Sequence, residues 1–302
     1  MQSKSDMIKR LQLLPILVLM QIVARTPWIV ANAIAHTSVW FMWMVNRRAR
    51  PITEVNIAIC FPEMTRERQR SLVKASLYET SMNAFDMVRC WVRSRDYLEG
   101  RISNVDGLEH LLQAAEVGKG TLVLTPHLGS WEIVNLYLSS RNTFTALYRE
   151  PRASTLAEFI LRQRQRHGAR LVPINTAGLR AVLQTLRANE MGVLFPDQVP
   201  PQSSGQFAPF FGEPTLTMTL ASKLLRRSGA RAVCAYCKLL PGGRYELHFR
   251  PADEAIYDAD LTTSLVGLNA SVEACVRECP EQYQWEYRRF KFLTDFRRRF
   301  YW

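Results

Sequence analysis

The 302 residues are 47% apolar and 22% charged, enough for one large α/β domain with a full core. No repeat, low-complexity stretch or linker divides the chain, which excludes a second domain. The net charge of +12 points to an anionic partner surface.

The N-terminus holds the densest apolar material. Residues 11–24 carry no charge, Arg25 interrupts, and residues 26–46 are again free of Lys, Arg, Asp and Glu. A spanning helix needs about 20 mostly apolar residues, and Trp28, Trp40 and Trp43 near the ends of the second run suit an interface. Residues 1–50 are therefore expected to form a membrane anchor, as a single span or an interfacial pair of helices, and residues 51–302 the soluble domain. Lys4, Lys9 and Arg10 before an apolar stretch also suit a signal peptide, but the apolar length and the lack of a clear A-x-A site argue against removal. Arg47, Arg48 and Arg50 follow the second run, so basic residues lie on both sides and orientation stays open.

Gly118-Lys119-Gly120 reads as a turn feeding a buried strand through Leu122, Val123 and Leu124. Ser130 is a candidate N-cap for a helix running through Ile133, Val134 and Leu136. His127 and Glu132 lie between and just after. Five residues along one helix would rotate the two side chains apart by roughly 140°, so they converge only with His127 in the loop and Glu132 in the first turn. An imidazole ordinarily titrates at about pH 6.5 and can take a hydroxyl proton near neutral pH, and a carboxylate on its other nitrogen would fix the tautomer. The spacing allows a base, His127, oriented by Glu132, but taken alone it fits better a His that closes a strand and a Glu that begins a helix, where the macrodipole favours it. Backbone N–H groups around Gly129 are the candidate oxyanion donors.

Further along, a helix between Thr155 and Arg166 carries Arg162, Arg164 and Arg166; Arg164 is the candidate for substrate phosphate. A strand from Met191 ends at Pro196-Asp197-Gln198, repeating the placement of His127 at a strand end, where α/β folds gather ligands. The loop Pro200 to Gly205 then reads as a rim to that site.

Six cysteines give neither a metal site nor a disulfide framework. Cys234 and Cys237 form C-x-x-C in a predicted strand over Ala230 to Leu240, which sends the two sulfurs to opposite faces; buried free thiols suit a reducing cytosol. His36, His110, His167 and His248 lack metal-ligand spacing, and no phosphate-binding Gly-rich loop is present. No metal and no cofactor are expected. From Trp285 to Trp302 six basic residues interleave with eight aromatics, which suits anionic head groups. The same pattern binds single-stranded nucleic acid, but the apolar N-terminus favours lipid.

Taken in order, several segments resemble the bacterial lipid A biosynthesis acyltransferases, within the lysophospholipid acyltransferase-like superfamily. They are Val55 to Pro62, the box His127-Leu128-Gly129-Ser130-Trp131-Glu132, Leu147-Tyr148-Arg149 with Pro151, the Arg-rich helix, Pro196-Asp197-Gln198, Pro209-Phe210-Phe211-Gly212, and Pro280 to Trp285 running into Arg288-Arg289-Phe290-Lys291. The box usually has Asn where this chain has Ser130, and Glu150 intervenes in a segment commonly Tyr-Arg-Pro. The resemblance implies a central mixed sheet flanked by helices. It also implies transfer of an acyl chain from an acyl carrier protein thioester to a hydroxyl of a phosphorylated glycolipid, the lipid A precursor, at the cytoplasmic face of the inner membrane. His127 and Glu132 would be catalytic, and Arg149, Arg164, Asp197 and Gln198 would bind substrate. Two other readings are an acyltransferase for another polar lipid, such as a mannosylated inositol lipid or an aminolipid, and a non-catalytic membrane or nucleic-acid binder.

Overall fold

The structure, a computed structural model, describes residues 2–45, 48–148, 155–292 and 300–301. Two apolar helices open the chain, α1 (Gln2–Arg25) and α2 (Trp28–Val45). They break at Thr26-Pro27, next to the Arg25 that interrupts the apolar sequence, as expected where a proline removes a backbone donor. Next come α3 (Ala49–Cys60), α4 (Arg66–Val92) and the short α5 (Arg95–Glu99). Thr65 and Ser94 cap α4 and α5 through their hydroxyls, each satisfying an otherwise orphaned amide.

The α/β part follows as β1 (Ile102–Asp106), α6 (Leu108–Glu116), β2 (Thr121–Leu124), α7 (Trp131–Ser139), β3 (Phe144–Tyr148), α8 (Thr155–Gln165), β4 (Arg170–Pro173), α9 (Thr176–Arg187) and β5 (Met191–Leu194). It closes with β6 (Gly205–Phe210), β7 (Glu213–Met218), α10 (Leu220–Ser228), β8 (Arg231–Leu240), β9 (Arg244–Pro251) and α11 (Leu261–Glu278). Seven strands form one mixed sheet in the order β1-β9-β8-β2-β5-β3-β4, and β6 and β7 make a separate hairpin. Strands β8, β2, β5, β3 and β4 are mutually parallel, whereas β9 runs antiparallel to β8 through the Pro241-Gly242-Gly243 turn.

Both faces of the sheet are covered, so its central strands are apolar throughout. Leu122, Leu124, Cys234 and Tyr236 point into one core with α9, α10 and α11. Val123, Val193, Val233 and Cys237 point into the other with α6 and α7. Cys234 and Cys237 thus lie on opposite faces, as the strand period requires, and all six cysteines are free and buried.

The N-terminal helices rest on α4. Ala31 and Ala35 of α2 are buried, while Ile29, Trp40, Phe41 and Met44 are exposed, as are Leu14, Leu19 and Ile22 of α1. Helix α2 is long and apolar enough to cross a membrane.

The start of the C-terminal segment, Trp285 to Phe290, belongs to the core and so corrects the reading of a basic aromatic surface for that part. Trp285, Arg289 and Phe290 are buried, and the Asn56 amide nitrogen donates to the carbonyls of Trp285 (2.6 Å) and Tyr287 (2.8 Å). Burial of large aromatic area outweighs head-group contact here. Residues 293–299 and Trp302 lie outside the described residues.

Candidate active site

Strands β2 and β5 are neighbours in register, with Leu124 opposite Leu194. Each continues for three residues through a proline, Thr125-Pro126-His127 and Phe195-Pro196-Asp197, so the register alone brings His127 and Asp197 together. This is a topological switch point. The chain leaves β2 toward β3 on one side and β5 toward β8 on the other, which opens the crevice where α/β sheets bind ligands.

The contact is close. Asp197 Oδ1 lies 2.8 Å from His127 Nδ1, and Oδ2 accepts the His127 backbone N–H at 2.8 Å. Gln198 Nε2 lies 3.3 Å from His127 Nε2. An amide donor on Nε2 and a carboxylate on Nδ1 select the tautomer with the proton on Nδ1, so that Nε2 is the accepting nitrogen, here toward the Gln198 amide. The His127 side chain keeps 18% exposure against 3% for Asp197. Burial alone would raise the Asp197 carboxyl, but the His127 charge and the hydrogen bonds from its ring and amide hold it below the ordinary carboxylate value.

Glu132 lies in the first turn of α7 and His127 in the loop before it, as predicted, but the side chains have different partners. Glu132 Oε1 accepts from Arg164 Nε (2.8 Å), Arg164 Nη2 (2.6 Å) and Trp91 Nε1 (2.9 Å). The carboxylate on the imidazole is therefore Asp197. Arg164 crosses from α8 and also faces the Trp131 ring at 4.9 Å. Arg166 turns to the end of α4, donating to the Cys90 carbonyl at 3.0 Å, a favourable place for a cation. Arg162 is exposed, and Arg149 lies outside the described residues.

The loop between His127 and α7 is stitched on both sides. Gly129 N–H donates to the Gln282 carbonyl (2.9 Å), Ser130 N–H to the Cys237 carbonyl (2.8 Å), and Gln284 N–H to the His127 carbonyl (3.1 Å). The Gly129 amide, expected to receive an oxyanion, is thus already bonded, as is its neighbour at Ser130, because the loop bridges β8 and the 282–284 segment. Gly129 has φ +58°, and a Cβ there would stand 2.0 Å from the Cys237 carbonyl oxygen, so glycine is required.

Ser130 stands at the N-cap of α7 but makes no side-chain cap bond. Its hydroxyl instead donates to Asp86 of α4. Asp86 is fully buried and also accepts from the Tyr245 hydroxyl (2.7 Å) and Arg89 Nη1 (3.4 Å). Burial pushes its carboxyl up, against the hydrogen bonds of Ser130 and Tyr245 and the Arg89 charge. Sequence reasoning missed Asp86, although an acid amid Phe85, Met87 and Val88 was the available signal. It also missed Tyr283, whose phenol is raised by burial first and then by the Asp197 charge. The remaining histidines stay apart; His248 stacks on Tyr236 (4.8 Å) beside Asp106 on β1.

Aromatic rings wall the imidazole. Phe195 lies 4.9 Å and Trp131 5.8 Å from it, centroid to centroid. A narrow slot of about 60 Å³ opens there, lined by Trp131, Val134, Ala146, Leu147, Val193 and Arg164 among others.

A profile of the bacterial lipid A biosynthesis acyltransferases matches residues 2–292. The chain belongs to that family. It is 27% identical over 249 residues to a lipid A biosynthesis lauroyltransferase of Escherichia coli, covering 82% of this chain and 80% of the relative. A lipid A biosynthesis acyltransferase of Haemophilus influenzae is 26% identical over 242 residues, 79% and 74% of the two chains. A myristoyltransferase of the same pathway in Escherichia coli is 24% identical over 249 residues, 81% and 76%. The protein is an acyltransferase, and its family implies a lipid A precursor as acceptor.

Proposed function

We propose that the protein moves a fatty acyl chain from an acyl carrier protein thioester to a hydroxyl of a lipid A precursor, with His127 as general base and Asp197 as the carboxylate that orients it. His127 Nε2 takes the hydroxyl proton as that oxygen attacks the thioester carbonyl carbon. The tetrahedral intermediate collapses with cleavage of the C–S bond, and the imidazolium returns the proton to the leaving thiolate. The products are an ester and the carrier thiol. The activated bond arrives with the donor, so the step needs no cofactor. The observation that carries this reading is the 2.8 Å contact between Asp197 Oδ1 and His127 Nδ1, which makes Nε2 the accepting nitrogen once a substrate hydroxyl takes the place of the Gln198 amide.

The other residues take supporting roles in this reading. Gln198 is the side-chain donor nearest the reacting nitrogen and replaces the Gly129 amide as the oxyanion partner. Glu132 anchors Arg164 through Nε and Nη2, which leaves Nη1 for a phosphate of the acceptor. The slot behind Trp131 receives the start of the acyl chain. The net charge of +12 favours both an acidic carrier protein and a phosphorylated lipid. The exposed apolar faces of α1 and α2 support membrane association in this reading, and an acyl carrier protein donor fits a site on the cytoplasmic side of the inner membrane. The test is transfer of labelled acyl chain from the carrier to the lipid acceptor by His127→Ala; turnover near that of the unaltered enzyme would reject the reading.

A further inference from the structure

A second feature lies on the far part of α4, away from the reaction crevice. Three cations converge on one indole. Arg50 Cζ stands 4.1 Å, Arg70 Cζ 5.1 Å and Lys74 Nζ 5.1 Å from the centroid of the Trp43 ring, at the end of α2. Arg50 pairs with Glu54 at 2.8 Å. Among the described residues, no carboxylate lies within ion-pair distance of Arg70 or Lys74, and both are exposed. Ring quadrupoles attract each cation, but they do not remove the repulsion between like charges. The cluster is left with excess positive charge beside the protein's most apolar exposed helix.

Next to it runs an open apolar groove of about 1050 Å³ between α2 and α4. Its lining includes Ile34, Thr37 and Phe41 from α2, and Ser81, Ala84 and Phe85 from α4. Lys74, Ser81 and Phe85 are spaced seven and eleven residues from the first, which on a helix places them within about 20° of one face. The cations therefore stand in line with the groove wall, Lys74 roughly 9 Å and Arg70 roughly 15 Å along α4 from where the groove begins at Thr80. By the same rise, Lys74 and Trp91 are about 25 Å apart along α4, so the cluster is separate from Glu132 and its partners.

We propose that this groove and cluster form a binding site for an anionic phospholipid of the bilayer. One acyl chain lies in the groove, and the phosphate meets Arg70 and Lys74 beside Trp43. Charge complementarity selects the occupant: an apolar groove alone would take any lipid, whereas two unpaired cations at its mouth discriminate for a net negative head group. The site holds the domain against the membrane at a fixed register, independently of the chemistry at His127.

The test uses the full chain reconstituted in phosphatidylcholine vesicles, with a minor fraction of lipid brominated near the carboxyl end of its acyl chains. Emission from Trp43 is taken as the difference between the parent protein and Trp43→Phe. Brominated phosphatidylglycerol is expected to quench that emission at a mole fraction roughly 25-fold lower than brominated phosphatidylcholine. Arg70→Gln with Lys74→Gln should remove the preference, roughly fivefold for each basic group lost, while acyl transfer by the detergent-solubilised protein stays unchanged. Equal quenching by the two lipids in the parent protein would overturn the proposal. So would a preference that survives the double substitution.

Discussion

Glu132 and Asp197 are buried carboxylates beside one crevice, yet they are held by different partners. Asp197 meets an imidazole because two parallel strands end in step, and a three-residue extension from each brings the side chains together. Glu132 meets a guanidinium because its helix packs beside α8, and three donors converge on one of its oxygens. In the proposed function the first arrangement prepares a proton acceptor, and the second fixes a cation for an anionic acceptor. Nearness in sequence to His127 is thus a poor guide to which acid serves it.

The sharpest way to break the contrast is to remove its centre. His127→Ala should lose about 10²–10⁴-fold in turnover while remaining folded, since a loop-borne, partly exposed ring leaves no core cavity. Circular dichroism alongside the transfer assay checks both halves of that expectation.

Removing the Arg164 guanidinium should act on acceptor binding. Arg164→Ala is expected to cost about 1.5–3 kcal/mol in kcat/KM for the phosphorylated acceptor. An acceptor lacking the contacted phosphate should be used equally by the parent and the variant. A cycle of two enzymes and two acceptors reads the coupling directly, and zero coupling would make Arg164 a support for Glu132 alone.

How far these roles could be read from the sequence depends on their range. The apolar runs ending in Pro126-His127 and Pro196-Asp197 marked both strand ends, and the period of two placed Cys234 and Cys237 on opposite faces. The break after Arg25 marked the boundary between α1 and α2. The pairing of His127 with Asp197 was hidden, because β3 and β4 intervene in sequence while β2 and β5 adjoin in space. Ser130 occupies the expected helix position with a different bond. Its hydroxyl is drawn to a buried acid on α4, whose need for donors outweighs capping one amide. The Gly129 amide is taken up by long-range bridges for the same reason.

A smaller effect sharpens the electrostatic side. The Asp197 carboxyl is depressed in the folded protein, so its contribution to stability is present above the unfolded value of about 3.9 and is lost as pH falls through the folded value. Urea melts should therefore show Asp197→Asn less stable than the parent at neutral pH, with the gap closing below about pH 4. A gap that is constant with pH would mean that the His127 contact does not stabilise the charged form.

The smallest expected change is at the buried acid behind the loop. Ser130→Ala removes one donor from Asp86 and should cost about 1 kcal/mol, lowering Tm by roughly 2–4 °C. Tyr245 and Arg89 still satisfy the carboxylate. A thermal melt that does not move would show that those two partners suffice.

The central claim is that Asp197, and not Glu132, orients the base. Single-turnover acyl transfer at saturating acceptor, comparing Asp197→Asn with Glu132→Gln, tests it directly. The account predicts a loss on the order of 10²-fold or more for Asp197→Asn, as expected when the imidazole loses its tautomer, and a much smaller loss for Glu132→Gln that appears chiefly in acceptor KM. A Glu132→Gln rate that collapses while Asp197→Asn keeps most of its turnover would contradict it.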